Sequence, residues 1–162
     1  MNDKQFIRGA IIASLYIVLT LPLLQISFGQ FQVRLSEILT ILPYFFPEAI
    51  LGLTIGCILV NIFSPFGIID VVFGSLCTLI AAYLTYYLRR YNKPYLAIIP
   101  PVLINAFGVG LYVSILTSEL KLFSIYRYLF FILSIGVGEL ISVGVGGSLL
   151  ITYFIRKRIV FK

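Results

Sequence analysis

A single carboxylate interrupts the last apolar segment of the chain. Glu139 lies in a run of 28 residues, 128–155, that holds no other formal charge and is flanked by Arg127 and Arg156. An ionisable side chain inside an apolar segment of this length costs about 2.5–3.5 kcal/mol on insertion scales, so it usually faces a cavity, a partner or a ligand. Glu139 is therefore the first candidate for a binding site.

Two amides, Asn61 and Asn105, interrupt other apolar segments. Together with the carboxylate they suit recognition of a polar ring, because a carboxylate accepts two N–H donors from a guanidine-like edge and an amide both donates and accepts. Tyr112, with Phe107 and Phe73, offers an aromatic face on which a flat ring can stack. The expected ligand is planar, polar and cationic.

The same inventory argues against catalysis. The chain contains no histidine, so it lacks the usual zinc ligand and the common general base, and no hydrolytic triad can be assembled. No Gly-Lys pair occurs, which excludes a Walker phosphate loop. The sequence predicts a non-enzymatic protein without a metal or a cofactor.

The composition places these polar residues in lipid. Apolar residues make up 60% of the chain and charged residues 11%, with a mean hydropathy of +1.09, far from the values of a water-soluble domain. Uncharged stretches long enough to cross a bilayer occupy 9–33, 49–69, 71–88 and 94–118. The sequence predicts one polytopic domain, 1–162, in the lipid bilayer of a cell membrane.

Apolar runs and their breaks predict six helices, near 7–27, 34–46, 48–63, 69–88, 95–117 and 124–156. The second is too short to cross by itself. At about 1.5 Å per residue it reaches about 20 Å, less than the hydrocarbon core of about 30 Å. We expect it to pack inside the bundle or to enter at an angle.

Basic residues predict the topology. Six crossings place nine of them on one side: Lys4, Arg8, Arg89, Arg90, Lys93, Arg156, Lys157, Arg158 and Lys162. The other side holds three: Arg34, Lys121 and Arg127. The positive-inside rule therefore puts both termini in the cytoplasm of an all-α, six-helix bundle. Topology and anionic lipid account for the net charge of +6, and no nucleic-acid partner is expected.

The polar residues share a depth. Asn61, Asn105 and Glu139 lie 12–17 residues from the expected cytoplasmic ends of their helices, which corresponds to about 18–26 Å. This level is in the outer half of the core and predicts a pocket that opens outward. Three charged residues near the outer helix ends are expected to form its rim: Arg34, Glu37 and Asp70.

Each candidate also has a structural alternative. Asp70 can cap a helix. Arg34 and Glu37 can form a surface ion pair at i,i+3. Asn61 and Asn105 can hydrogen-bond between helices. Glu139 has the weakest structural explanation of these residues.

Three stretches carry a resemblance to a known family: QVRLSEILTILPYFFPEA at 32–49, which is the most specific, GIIDVVFGSL at 67–76 and AAYLT at 81–85. They resemble the QueT family, the substrate-binding S components of energy-coupling factor (ECF) transporters for queuosine precursors. The resemblance covers most of the chain. It implies a compact six-helix bundle whose outer pocket is capped by the loop near 27–33.

The resemblance also implies a ligand and roles for residues. The ligand is a 7-deazaguanine such as preQ1 or preQ0, bound by the outward pocket and carried inward when the subunit reorients. Glu139 is expected to bind the N1/N2 edge, and Asn61 or Asn105 the ring carbonyl or N3. Glu37 or Asp70 is expected to neutralise an aminomethyl cation.

The family works with a transmembrane coupling subunit and two ATPase subunits in the bacterial plasma membrane. S components commonly dock through small residues on the first helix, here read as Ala10-x-x-x-Ser14 or Gly9-x-x-x-Ala13. Such pairs also serve internal packing of membrane helices. Two alternatives stay open: an S component for another vitamin or purine-like base, and an autonomous small-molecule transporter or channel.

Overall fold

Six helices form where the sequence places its apolar runs. The structure is a computed structural model that describes residues 2–29, 32–118 and 123–157. These residues contain no strand, and their helices are α1 Asp3–Ser27, α2 Leu35–Tyr44, α3 Ala49–Asn61, α4 Asp70–Tyr91, α5 Pro94–Leu116 and α6 Ile125–Arg156. Residues 30–31 of the expected capping loop lie outside the described residues, as do Lys121, Arg158 and Lys162.

Four of the helices are long and apolar enough to cross a bilayer: α1, α4, α5 and α6. The other two are shorter. α3 has 13 residues, which corresponds to about 20 Å. The structure thus provides four membrane-length helices and two short apolar ones. A bundle with six crossings stays a prediction.

The helix α2 is a 3₁₀ helix of ten residues. At about 2.0 Å per residue it is about 20 Å long, the length expected from the sequence. Eight of its ten residues are buried. It packs inside the bundle against α1, α4 and the second half of α6, while the outer helices contact one another in the order α1, α3, α4, α5, α6.

Small residues bring α1 and α3 into backbone contact. A Cβ atom added at Gly52 would lie 2.5 Å from the carbonyl oxygen of Gly9, and one added at Gly56 would lie 3.0 Å from that of Ala13. Such close approach is how small residues stabilise helix pairs in lipid. Gly9 and Ala13 are accordingly buried, and this pair serves internal packing.

One end of the bundle gathers basic residues with aromatic rings. Arg8 donates to Glu48 at 2.6 Å, and its guanidinium lies 4.6 Å from the centre of the Phe46 ring. Phe46 in turn packs on Phe154 with ring centres 5.9 Å apart. The start of α1 and the end of α6 therefore share one end of the bundle, as an even number of crossings requires.

Three of the long helices contain a π-helical segment. These segments are Asp70–Gly74 in α4, Asn105–Val109 in α5 and Leu140–Gly147 in α6. π segments are rare and often occur at functional sites. Each of these begins at, or directly after, a polar residue that the sequence analysis selected.

Candidate ligand-binding site

Glu37 lies at the centre of a buried polar cluster. Tyr16 of α1 donates its hydroxyl to Glu37 Oε1 at 2.5 Å. The Asn105 amide donates to Glu139 Oε1 at 2.8 Å and faces Glu37 Oε2 at 3.4 Å. All four side chains are buried. The cluster therefore joins α1, α2, α5 and α6, and both Glu37 oxygens are already hydrogen-bonded.

Arg34 and Asp70 form the second part of the cluster. Arg34 Nη2 lies 3.7 Å from Asp70 Oδ2, and the two side chains are 7% and 1% exposed. Arg34 Nε also donates to the Ser27 carbonyl at 3.1 Å, and its guanidinium lies over the Phe28 ring. Tyr112 donates its hydroxyl to Asp70 Oδ1. This ion pair fixes the chain before α2 to the start of α4.

Asn61 continues the cluster from the end of α3. Its amide nitrogen donates to the Asp70 carbonyl oxygen at 2.9 Å. Gly74 leaves the space for this contact, since a Cβ atom there would lie 2.5 Å from Asp70 Oδ1 and 2.9 Å from Asn61 Nδ2. The site therefore requires glycine at position 74.

Several buried atoms of this cluster have no hydrogen-bond partner in the described part of the chain. Four belong to predicted site residues: Arg34 Nη2, Asn61 Oδ1, Asp70 Oδ2 and Glu139 Oε2. Ser142 Oγ, one turn beyond Glu139, is another. A buried polar group without a partner costs about 1–3 kcal/mol, so several in one place call for an explanation. A polar ligand would satisfy them.

Carboxyl groups outnumber cationic groups in the cluster. It holds three carboxylates, those of Glu37, Asp70 and Glu139, and one guanidinium, that of Arg34. Arg34 pairs with Asp70. Within the described residues, neither Glu37 nor Glu139 forms an ion pair. A cationic ligand would supply the missing charge.

The structural alternatives for the charged residues do not hold. Asp70 makes no side-chain cap to its helix, and Arg34 pairs with Asp70 rather than with Glu37. The expected rim of Arg34, Glu37 and Asp70 is also wrong, because these residues are 6%, 1% and 0% exposed. They lie inside the cluster.

Fewer aromatic residues reach the polar cluster than the sequence predicts. Phe73 and Phe107 are about half exposed, at 53% and 51%, on the outside of the bundle. Tyr112 alone of the three reaches the polar residues, through its hydroxyl. Of the three aromatic residues, we therefore retain only Tyr112 as a candidate site residue.

Two residues of the cluster, Tyr16 and Ser142, were not predicted from the sequence. Tyr16 is fully buried, yet nothing separates it in the sequence from the other tyrosines in apolar runs. Ser142 had a signal, since it follows Glu139 by three residues and so shares its helix face.

The small residues of α1 separate into two faces. Gly9 and Ala13 are buried against α3, whereas Ala10 and Ser14 are exposed. The Ser14 hydroxyl donates to the Ala10 carbonyl at 3.0 Å. The hydrogen-bond donor of this side chain therefore already has a partner within its own helix. Both residues line an apolar groove of about 350 Å³ between α1 and α3.

Comparisons with known proteins point to a transporter. A family model described as QueT transporter matches residues 6–157. The queuosine precursor transporter QueT of Lactococcus lactis subsp. cremoris (strain MG1363) is 42% identical over 73 residues, which is 44% of this chain and 43% of that protein. The aligned part therefore spans less than half of the relative. No solved structure matches.

Proposed function

This chain belongs to the QueT transporter family, and from that premise we propose that it is the substrate-binding membrane subunit of an ECF-type importer of a queuosine precursor. Transport and a membrane location follow from the family and from the four membrane-length helices. The proposed membrane is the bacterial plasma membrane, with both termini in the cytoplasm.

The observation that carries this proposal is the set of buried atoms without a hydrogen bond in the cluster. Among the four predicted site residues, Asn61 Oδ1, Asp70 Oδ2 and Glu139 Oε2 are acceptors, and Arg34 Nη2 is a donor. A 7-deazaguanine such as preQ1 or preQ0 is rich in N–H donors and has one ring carbonyl, which matches this ratio. We propose that these four residues bind the ligand. Asn105 and Tyr112, which donate to Glu139 and Asp70, complete the site together with Glu37, which Asn105 also contacts.

Titration calorimetry on the purified chain in detergent tests the substrate. We expect heat of binding with preQ1, and none with riboflavin or thiamine, because neither of these presents a guanine-like edge to the cluster. Guanine, which lacks the 7-deaza ring, is the close comparison. Binding of a vitamin in preference to preQ1 would contradict the substrate and leave an S component for another compound.

The partners are proposed to be a transmembrane coupling subunit and two ATPase subunits, which supply the energy for reorientation. We propose that the coupling subunit packs on Ala10 and Ser14, because these small residues lie exposed in the α1–α3 groove and allow a helix to approach closely. Uptake into proteoliposomes by this chain alone, without ATPases, would favour an autonomous transporter instead.

Filling the groove is expected to block assembly. Ala10→Leu or Ser14→Leu places a large side chain where the partner helix packs, while the polar cluster is untouched. Copurification with the coupling subunit should fall by at least about tenfold, the effect of about 1.4 kcal/mol, and ligand affinity should stay at the wild-type value. Val145→Leu is the matched control, because Val145 is exposed on α6. Unchanged copurification of both α1 variants would count against this docking face.

A further inference from the structure

The atoms of the cluster that lack a hydrogen bond fall into two groups. Arg34 Nη2 and Asp70 Oδ2 lie 3.7 Å apart, and the Asn61 amide is anchored to the Asp70 carbonyl at 2.9 Å. These three residues form the first group. Glu139 Oε2 belongs to the second, where the Asn105 amide links Glu139 to Glu37.

The first group has a defined hydrogen-bonding pattern. Arg34 Nη2 is a donor, whereas Asp70 Oδ2 and Asn61 Oδ1 are acceptors. The edge of a guanine ring offers a carbonyl oxygen, a ring N–H and an amino group, which is the complementary series of one acceptor and two donors. Bonds from a charged guanidinium and to a carboxylate are the stronger kind. This group suits the guanine edge.

The second group holds two buried carboxyl groups without a cation. Asp70 already has a cation, since Arg34 pairs with it. Within the described residues, Glu37 and Glu139 form no ion pair. Each Glu37 oxygen already accepts one hydrogen bond, from Tyr16 or from Asn105, whereas Glu139 Oε2 accepts none. A buried carboxylate stays ionised only beside a cation or hydrogen-bond donors, and a cationic ligand group would stabilise it.

We infer that the site divides a 7-deazaguanine between these groups: its guanine edge binds Arg34, Asp70 and Asn61, and an ammonium on its 7-substituent binds Glu139 beside Glu37. The inference rests on the proposed function and adds a selectivity to it. The site favours preQ1, whose aminomethyl group is cationic, over preQ0, whose nitrile is neutral.

This division exchanges the roles that the resemblance implied for the carboxylates. Glu139 was expected on the guanine edge, and Glu37 or Asp70 at the cation. The contacts argue otherwise, because Asp70 is neutralised by Arg34 and both Glu37 oxygens already accept a hydrogen bond. Asn105 likewise positions the two glutamates, since its amide nitrogen already faces both.

A panel of three compounds tests the division: preQ1, preQ0 and 7-deazaguanine without a 7-substituent. Titrated into the wild-type chain, preQ1 should bind at least about tenfold more tightly than the other two, as expected for one charge-assisted hydrogen bond. Glu139→Gln keeps an oxygen for the Asn105 amide and removes the charge. It should lower the affinity for preQ1 to that of preQ0 and leave the other two compounds nearly unchanged. Asp70→Asn should weaken all three alike.

The outcomes distinguish an error in the ligand's orientation from an error in the proposed function. Equal wild-type affinities for preQ1 and preQ0 would overturn the inference and leave a queuosine-precursor subunit standing. Equal weakening of all three compounds by Glu139→Gln would overturn the inference in the same way. Failure of all three compounds to bind the wild-type chain would overturn both. The wild-type comparison needs no variant, so a folding defect in either substitution does not affect it.

Discussion

Replacing Arg34 with glutamine is expected to destabilise the folded chain by about 3–5 kcal/mol, because it removes one partner of a buried ion pair. Asp70 is left as a carboxylate whose side chain is 1% exposed. Tyr112 still donates to its other oxygen, so the loss is chiefly that of charge compensation. Unfolding by dodecyl sulfate in mixed micelles, followed by circular dichroism, measures the change.

The ion pair at the basic end of the bundle provides the control. Arg8 pairs with Glu48 at 2.6 Å, but the Arg8 side chain is 46% exposed. The Glu48 side chain is 2% exposed, but the exposed Arg8 guanidinium keeps this pair in contact with water. Arg8→Gln is therefore expected to cost less than Arg34→Gln. Adding Asp70→Asn to Arg34→Gln should recover part of the loss, since the unpaired charge is then gone. Equal losses for Arg34→Gln and Arg8→Gln would contradict the role given to burial.

Replacing Glu37 with leucine is expected to abolish ligand binding and to destabilise the chain by about 2–4 kcal/mol. The change takes the acceptor from the Tyr16 hydroxyl and one acceptor from the Asn105 amide, and each buried donor without a partner costs about 1–3 kcal/mol. Asn105 then keeps only its hydrogen bond to Glu139, so the position of the Glu139 carboxylate is less fixed. Calorimetric titration with preQ1 and the same unfolding assay measure the two effects.

A double-mutant cycle separates the hydrogen bond from packing. Tyr16→Phe removes the donor, so adding it to Glu37→Leu should restore about 1 kcal/mol or more, because removal of both partners leaves no unsatisfied group. Glu37→Gln, which retains a carbonyl acceptor, should be the mildest change at this position. Additive losses in the cycle would mean that Tyr16 and Glu37 stabilise the chain independently.

The sequence predicted the long helices well. The predicted ranges 69–88, 95–117 and 124–156 correspond to Asp70–Tyr91, Pro94–Leu116 and Ile125–Arg156. The thickness of the hydrocarbon core sets the length of an apolar run, and a charged residue or a proline ends it. Both ends of a long helix can therefore be predicted from the sequence. The inner position of the short second helix is one of the two alternatives that the same length argument left open.

The helix types and the partners could not be predicted in this way. Helices that are apolar on every side lack the periodicity that separates 3₁₀, α and π turns, and so the 3₁₀ form of α2 and the three π segments were missed. The Arg34–Asp70 pair joins residues 36 positions apart in the sequence. Spacing in the sequence suggested Glu37, at i,i+3, as the partner of Arg34. In the structure Glu37 accepts a hydrogen bond from Tyr16 instead.

The π segments are positions at which a helix of this chain could lose one residue. A π turn closes its hydrogen bonds over one more residue than an α turn, so a chain can lose one residue there and keep both flanks of the helix packed. A relative that is one residue shorter within α4, α5 or α6 would then have shifted Asp70, Asn105 or Glu139 around its helix axis. A gap of a single residue inside one of these transmembrane segments would therefore mark a relative that binds a different ligand.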